Sequence, residues 1–400
     1  MNIPKYKTVA GLTLPESDII PGHTQICIHN TNMEECSNYA KSLEEKGYTK
    51  YDEREISAGS EKSYNKNLFY TYTKDSEVIF VFGMASLGIV HIVATTNAPL
   101  PSVGKIDVSD SDVITPSVIQ CKLSKGMIYI VQLADGNFIL IDGDKHCDDD
   151  TKALYEFMMS KTKSCEKPKI VMWMFTHPDC DHIVLATDFI KEYSKSVDIS
   201  FFAYQFPDCD KVEFVYIDSQ KIKSDIVALE SNIKTYCPDS TIYTLHAGQV
   251  YNFKGVQFEI LLTADTIYPY SYTSANDASA AWRVNFNNGK TVMFLGDCMQ
   301  YLCRQIAYVY GDYLKSDVLQ VTHHGLIGGD IGLYKYIDPE ICLWSTSEKR
   351  FLGTLEGQTY QWCIGEGGCD FNRWLRDDSV LVRKHYHLGE TAVINCKNTK

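Results

Sequence analysis

Apolar and polar positions alternate along the chain in short runs, and their spacing predicts a mixed α/β protein. In the first hundred residues one helix is predicted, with Asn32 as its N-cap, an end near Lys46 and Gly47 as its C-terminal stop. Apolar or alternating runs bounded by turn residues predict the surrounding strands. These strands lie near Gln25–His29, Lys50–Ile56, Asn67–Thr73, Val78–Gly83 and Ile89–Thr95. We therefore expect a small α+β domain over residues 1–100.

Proline, glycine and polar residues interrupt this pattern around residues 97–112, and we expect a linker over residues 101–115. Strand and helix patterns then alternate towards the C-terminus. The predicted strands are Val118–Leu123, Met127–Leu133, Phe138–Ile141, Ile170–Phe175, Ile199–Tyr204, Thr241–Leu245, Gly255–Leu262, Ala281–Leu295 and Val318–Thr322. Helices are predicted from about Asp150, up to Ile190, over Ser219–Tyr236 and up to Tyr310. Two sheets flanked by helices predict an α/β fold, an αββα sandwich, over residues 116–400.

Three polar clusters come directly after apolar runs that read as strands. The first is the H-x-D-x-D-H sequence of His177, Asp179, Asp181 and His182. Asp297 and the pair His323-His324 form the other two. Imidazole with carboxylate suits zinc, manganese or iron better than calcium or magnesium. Because uncompensated buried carboxylates are costly, we expect such a cluster to bind a cation rather than to fill a core.

If these strands are neighbours, their ends bring enough imidazoles and carboxylates together for two metal ions. Asp297 can bridge two such ions. Water held between divalent cations loses a proton near neutral pH, and the resulting hydroxide is a nucleophile. The same cations polarise a carbonyl or phosphoryl group and stabilise the developing oxyanion.

The order of these motifs resembles the metallo-β-lactamase fold. The common family motif has His at the position of Asp179. That difference, the sequence His323-His324-Gly325 and the run Asn276-Asp277-Ala278-Ser279 are similar to the hydrolase domain of bacterial competence (DNA-uptake) channel proteins. The resemblance covers residues 116–395. It implies a metal-dependent hydrolase.

The resemblance also implies roles for individual residues. His177 and Asp179 resemble ligands of a first metal, with Asn276 or Asp277 in place of the family's third histidine. Asp181 and His182 resemble ligands of a second metal, completed by His323. Asp297 matches the bridging carboxylate, and Asp142 matches an aspartate that supports the site. His324 is either the ligand in place of His323 or a proton donor or substrate contact, and we assign catalytic roles to Asp181 and His324. We expect two divalent ions, zinc first and manganese as the alternative.

Composition limits the partners. The net charge is −13, which disfavours long nucleic acid because such binding depends on Lys and Arg displacing counterions. A small anionic or ester substrate remains compatible with it. The sequence contains no apolar run of the ~20 residues that cross a membrane and no secretory signal at its start, so we expect a cytoplasmic protein without a membrane partner. The 14 cysteines include no C-x-x-C pair, which favours free thiols. A homo-oligomer is left open.

The sequence thus predicts a hydrolase that uses a metal-bound hydroxide on a phosphodiester or on a small ester or lactone. One alternative is a non-enzymatic metal-binding sensor or interaction protein, because the third histidine of the first site is missing. Another is a nuclease in which the N-terminal domain contributes nucleic-acid contacts.

Overall fold

The structure is a computed structural model. It describes residues 3–59, 66–107, 114–122, 126–145, 147, 149–162, 166–212, 214, 219–267, 272, 274–352, 370–377, 383–388 and 391–395. These residues form three β-sheets with helices, which confirms the expectation of a mixed α/β fold. Part of the expected linker, residues 108–113, and the end of the strand predicted at Leu123 lie outside the described residues.

The N-terminal sheet is antiparallel and has the strand order β1-β2-β6-β5-β4-β3. Its elements are β1 (Leu12–Thr13), β2 (His23–His29), α1 (Met33–Glu45), β3 (Thr49–Ser57), β4 (Lys66–Lys74), β5 (Glu77–Met84) and β6 (Ile89–Thr96). The side chain of Asn32 accepts a hydrogen bond from the Glu35 amide and so caps α1, as its position in the sequence predicts. One face of the sheet packs on α1 through a buried apolar cluster.

The remaining chain forms two central sheets of seven strands each. The first central sheet has the order β12-β11-β10-β9-β8-β7-β20, and the second has the order β13-β14-β15-β16-β17-β18-β19. Their elements are β7 (Ser117–Gln120), β8 (Tyr129–Gln132), β9 (Phe138–Ile141), α2 (Asp150–Lys161), β10 (Lys169–Met174), α3 (Cys180–Tyr193), β11 (Asp198–Tyr204), α4 (Ser219–Tyr236), β12 (Thr241–Thr244), β13 (Val250–Phe253), β14 (Val256–Leu262), β15 (Ala281–Phe286), β16 (Thr291–Phe294), α5 (Gln300–Tyr310), β17 (Val318–Gln320), α6 (Ile331–Ile337), β18 (Ile341–Leu343), α7 (Glu348–Phe351), α8 (Asp370–Asp377), β19 (Lys384–Tyr386) and β20 (Ala392–Asn395). Among the described helices, none combines the length and the apolar character that crossing a bilayer requires.

The two central sheets face each other across one buried apolar cluster, which includes Tyr129, Met172, Trp282 and Phe294. The helices α2, α3 and α4 cover the other face of the first central sheet. Both faces of its strands are therefore buried, which explains why β9 and β10 are nearly continuous apolar runs rather than alternating ones.

The N-terminal sheet packs into the core of the second central sheet. Phe80 and Phe82 belong to the same buried cluster as Leu262 of β14 and residues of α5 and α6. Polar contacts follow the same boundary: the Gln25 amide donates to the carbonyl of Asp265 at 3.1 Å. One hydrophobic core thus extends from the N-terminal sheet into the second central sheet.

Strand direction brings the polar clusters to one edge. Strands β9 and β10 run parallel, and so do β16, β17 and β18. The carboxyl ends of parallel strands meet at the same edge of a sheet, where ligand sites form. Asp142, His177, Asp297 and His323 all follow the carboxyl ends of these strands.

Candidate metal centre

The loop after β10 delivers the first group of side chains. The Asp179 carboxylate accepts a hydrogen bond from the Cys180 amide at 2.7 Å and so begins α3. Asp181 has non-helical backbone angles, φ −88° and ψ 16°, inside the first turn of α3. Because the helix is interrupted at Asp181, the side chains of Asp181 and His182 both lie near His177, which follows the end of β10.

Four imidazoles surround one carboxylate oxygen. The Oδ2 atom of Asp297 lies 3.3 Å from Nε2 of His182, 3.5 Å from Nε2 of His324, 3.7 Å from Nε2 of His323 and 4.0 Å from Nε2 of His177. All five side chains are buried. The sequence-predicted convergence of the three clusters is therefore present in the structure.

Asp181 lies at the open side of this cluster. Its carboxylate is 3.3 Å from Nε2 of His324 and 3.9 Å from Nε2 of His182. Its side chain is 32% exposed, whereas the side chain of Asp297 is 3% exposed. In two groups of residues here, the ligand-type atoms of each group all lie within 4.8 Å of one another: one is His177, His182 and Asp297, and the other is Asp181, His182 and His324.

In three of the histidines, the ring nitrogen that faces away from Asp297 contacts another polar group. Nδ1 of His182 lies 2.9 Å from Oδ2 of Asp142, Nδ1 of His177 lies 3.0 Å from the Thr176 hydroxyl, and Nδ1 of His324 lies 2.8 Å from the Ser345 carbonyl. Such partners set the orientation of metal-binding histidines and leave the opposite nitrogen for the metal.

The opposite nitrogens fit a cation. Nε2 of His177, of His182 and of His324 is buried without a hydrogen-bond partner among the described residues, and so is Oδ1 of Asp297. Buried polar atoms are rarely left without partners in proteins. Several of them facing one another, in a set of imidazoles and carboxylates, suit a divalent metal ion.

Asp142 ties the two strand ends together. Its carboxylate accepts hydrogen bonds from the Thr176 amide at 2.7 Å and from the Thr176 hydroxyl at 2.9 and 3.0 Å. Its carbonyl accepts the indole N–H of Trp173 at 2.7 Å. Asp142 thereby supports both His177 and His182, as the resemblance implied, without facing the cluster itself.

The imidazoles and carboxylates of the cluster shift one another's pKa values. Burial alone would raise the pKa of Asp297, but the imidazoles of His182, His324 and His323 hold it well below its usual range. Burial alone would lower the pKa of His324, but the carboxylates of Asp297 and Asp181 outweigh it and raise the pKa to about 9. Burial, followed by the neighbouring His182, lowers the pKa of His177 well below its usual range. A bound cation would balance these carboxylates in place of protons.

The two adjacent histidines of the third cluster have different neighbours. His324 joins Asp181 and His182, the position the sequence assigned to His323. His323 lies beside Asp297 and 3.3 Å from the Asn276 amide. Both histidines have positive φ, 49° and 55°, a conformation that is uncommon for such residues and occurs in functional loops.

The adjacent residues Asn276 and Asp277 also have different neighbours. Asn276 reaches the cluster through His323, and its Oδ1 is buried without a partner among the described residues. The Asp277 carboxylate accepts the Ser274 amide at 2.9 Å and so caps the 3₁₀ turn Ala275–Ala278. Asn276 therefore contacts another residue of the cluster.

Asp179 also has a different neighbourhood from the one expected. Its carboxylate groups with Cys180 and Asp181 within 4.8 Å, rather than with His177. Burial, and then the charge of Asp181, raise its pKa. The cause is its N-cap position, which turns the carboxylate towards the first turn of α3.

Two supporting residues had no assigned role in the sequence. Thr176 links Asp142 to His177, and Ser345 holds His324 through its carbonyl. The signal was available for Ser345, because a polar pair follows the apolar run 341–344 just as it does at the other strand ends.

Comparison with known proteins finds similarity only at the level of structure. No protein-family model matches the chain, and no curated protein matches its sequence. Among solved structures, a metallo-beta-lactamase fold protein, YhfI from Bacillus subtilis, aligns with a TM-score of 0.40 and 12% identity over 70% of this chain and 100% of that chain. CmlA, a diiron beta-hydroxylase from Streptomyces venezuelae, aligns with a TM-score of 0.41 and 9% identity over 71% of this chain and 54% of that chain.

A putative metallo-beta-lactamase from Thermotoga maritima aligns with a TM-score of 0.27 and 12% identity, over 45% of this chain and 79% of that chain. None of these three structures is described as a competence channel protein. That finer resemblance remains a prediction. Two of the three, YhfI and the Thermotoga maritima protein, are described as metallo-beta-lactamase proteins.

Proposed function

We propose that this protein is a metal-dependent hydrolase that acts on a phosphodiester or on a small ester or lactone. The observation that carries the proposal is the set of buried imidazole nitrogens around Oδ2 of Asp297, three of which lack hydrogen-bond partners among the described residues. A structural role for so many unpaired polar atoms would be costly, since each loses its hydration without compensation.

We assign the side chains to two donor sets, with Asp297 common to both. We assign Asp181, His182 and His324 to one cation. We assign His177 and Asn276 to the other. When bound, divalent cations polarise the scissile carbonyl or phosphoryl group and lower the pKa of water.

The remaining groups of the cluster position substrate and protons. The Asp181 carboxylate is the partly exposed member, so it is placed to accept a hydrogen bond from an attacking water at the mouth of the site. Nδ1 of His323 is buried without a partner among the described residues, and we assign His323 as the proton donor to the leaving group. In His324, the other candidate for that role, Nδ1 is held by the Ser345 carbonyl and Nε2 is assigned to the cation.

The overall charge favours a small substrate. At −13 the chain would repel a long polyanion, whereas cations in the cluster would attract a single phosphate or carboxylate. A cytoplasmic location and a dinuclear zinc or manganese site remain part of this proposal.

A metal-binding sensor is the second candidate, and one observation favours it. An amide, Asn276, stands beside His323 where a third imidazole of the first donor set would be expected, and amides bind zinc weakly. A sensor would bind metal without turning over any ester.

The two candidates separate in one experiment. Metal content and turnover of bis(p-nitrophenyl) phosphate and p-nitrophenyl acetate are measured for the wild type, His177→Ala and Asp297→Asn, with His29→Gln in the N-terminal sheet as a control. The hydrolase predicts bound metal and a loss of roughly 10²-fold or more in turnover for the two site variants only. Bound metal without turnover would support the sensor. Protein that binds no metal and shows no turnover would contradict both.

A further inference from the structure

A second cluster of rings lies beside the metal centre. Trp344, Phe351, His385 and His387 have ring centroids 5.2 to 5.9 Å apart in successive pairs. Trp344 is fully buried and forms the base, while the other three rings are half-buried. We call these four residues the ring cluster.

The backbone connects the ring cluster to the metal centre directly. Trp344 precedes Ser345, whose carbonyl holds the ring of His324. The segments that follow β18 and β19 continue side by side. The Trp344 amide donates a hydrogen bond to the Tyr386 carbonyl at 2.8 Å, and the Leu388 amide donates to the Thr346 carbonyl at 2.9 Å. The ring cluster therefore continues the same carboxyl edge of the second central sheet that carries Asp297 and His324.

One polar group, two residues after Trp344, has no hydrogen-bond partner among the described residues. Thr346 is 3% exposed, and its hydroxyl oxygen is buried without a hydrogen-bond partner among the described residues. A buried hydroxyl without a partner costs free energy, so its presence at this edge indicates a bond that forms with a ligand.

The chemistry of the ring cluster favours a planar group. The Trp344 indole N–H donates to Nδ1 of His385 at 3.0 Å, which fixes that ring and leaves its Nε2 as the donor. Burial first, and then the charges of Arg383 and Arg376, lower the pKa of His385 to about 4, so the ring is neutral at pH 7. Neutral imidazole and phenyl rings pack well against an aromatic group.

We propose that the ring cluster binds an aromatic group of the substrate while the Thr346 hydroxyl donates to an oxygen next to the reacting centre. The inference rests on the proposed function and narrows its substrate to an aryl or heteroaryl ester, most simply an aryl phosphodiester. The aromatic group lies along the strand edge, and the phosphate lies over the metal centre.

Binding of two phosphate esters tests this without requiring turnover. Phenyl phosphate and methyl phosphate carry the same reacting group and differ in the ring. Their affinities are measured by calorimetry for metal-loaded wild type, Phe351→Leu and Thr346→Val. Phe157→Leu, a half-buried phenylalanine of α2 on the other central sheet, is the control.

The wild type should bind phenyl phosphate roughly 3- to 10-fold more tightly than methyl phosphate, as expected for aromatic contacts. Phe351→Leu should bring this ratio close to one, and Phe157→Leu should leave it unchanged. Thr346→Val should weaken both esters by a similar factor and leave the melting temperature of the ligand-free protein unchanged or higher, because it removes an unpaired polar group.

Three results would overturn the inference: equal affinities in the wild type, a ratio unchanged in Phe351→Leu, or a Thr346→Val protein that loses stability while binding both esters normally. Failure of the proposed function is recognised separately, because the metal-loaded wild type would then not turn over bis(p-nitrophenyl) phosphate or p-nitrophenyl acetate, whatever its affinity for the two phosphate esters. Thr187→Val provides the matched contrast for Thr346, since the Thr187 hydroxyl already donates to Ile183 O at 2.9 Å and its loss should lower stability.

Discussion

Nδ1 of His182 lies 2.9 Å from Oδ2 of Asp142, on the opposite side of the imidazole from Asp297. Both side chains of this pair are fully buried. A carboxylate in this position holds the ring in one orientation and increases the basicity of the metal-facing nitrogen. Through its contact with His182, Asp142 should therefore influence metal binding directly, although it does not face the cluster itself.

Replacing Asp142 by Asn should weaken metal binding while preserving side-chain volume. We expect a loss of about 10- to 100-fold in affinity, because the amide is a weaker acceptor for the imidazole N–H and the Thr176 hydroxyl. A competition titration with a chromogenic chelator measures it. Asp198→Asn, at the exposed start of β11, is the control. Unchanged affinity in Asp142→Asn would show that Asp142 has no influence on the metal.

Gly296 allows the close approach of β16 to the loop after β10. Its φ is +53°, and a Cβ atom there would lie 2.8 Å from Cβ of Thr176. Gly296→Ala should therefore displace Thr176 or Asp297 and reduce both stability and metal affinity. Gly289→Ala is a matched control, because Gly289 also has positive φ (+88°) but no atom lies within 4 Å of the added Cβ. Thermal unfolding and metal titration should show a lower melting temperature and a lower metal affinity for Gly296→Ala than for Gly289→Ala. Equal values for the two variants would contradict the close packing at Gly296.

The N-terminal sheet should unfold together with the central sheets. Phe80 belongs to the shared core and stacks on His246 at 3.9 Å, so Phe80→Ala should cost roughly 3–5 kcal/mol. All five tryptophans come after residue 170, so tryptophan fluorescence reports only on the second part of the chain. We expect the fluorescence and circular dichroism transitions of Phe80→Ala to shift together. A fluorescence transition that stays at the wild-type temperature would indicate two independent domains.

Acid should destabilise the protein through buried neutral histidines. Burial holds the pKa of His91 at about 4, below the value of about 6.5 for an unfolded chain. The unfolded state then binds the proton more strongly, so the contribution of His91 is complete above pH 6.5 and is lost as the pH falls towards 4. The loss amounts to about 3 kcal/mol. The free energy of unfolding, measured with urea between pH 7 and 4, should depend less steeply on pH for His91→Gln than for the wild type. An identical pH dependence of the two proteins would contradict this.

Local patterns predicted the site better than they predicted its surroundings. The heptapeptide 176–182 and Asp297 follow strands, and the rule that parallel strands end at one edge was enough to bring them together. The choice between His323 and His324 depends on two successive residues with positive φ, which no propensity predicts. The N-cap role of Asp179 competes with a metal role in the same residue, and only the structure shows how its carboxylate is directed.

Long-range partners were beyond the sequence. His246 has no ligand type near it in the chain, yet its Nδ1 lies 2.6 Å from Asp265, 19 residues later. The shared core with the N-terminal sheet was missed although a signal existed: β5 and β6 are almost continuously apolar, and such strands are buried on both faces. The one predicted helix, α1, can cover only one face of the N-terminal sheet, so the other face had to pack on the rest of the protein.

The most direct measurement is anomalous diffraction from crystals grown with zinc or manganese, recorded above and below the absorption edge of the metal. The proposal predicts anomalous peaks within bonding distance of Asp297, with His182 and His324 as ligands of one ion and His177 as a ligand of the other. The absence of a peak at Asp297 at saturating metal, or peaks only elsewhere on the protein, would contradict the assignment of this cluster as a metal centre.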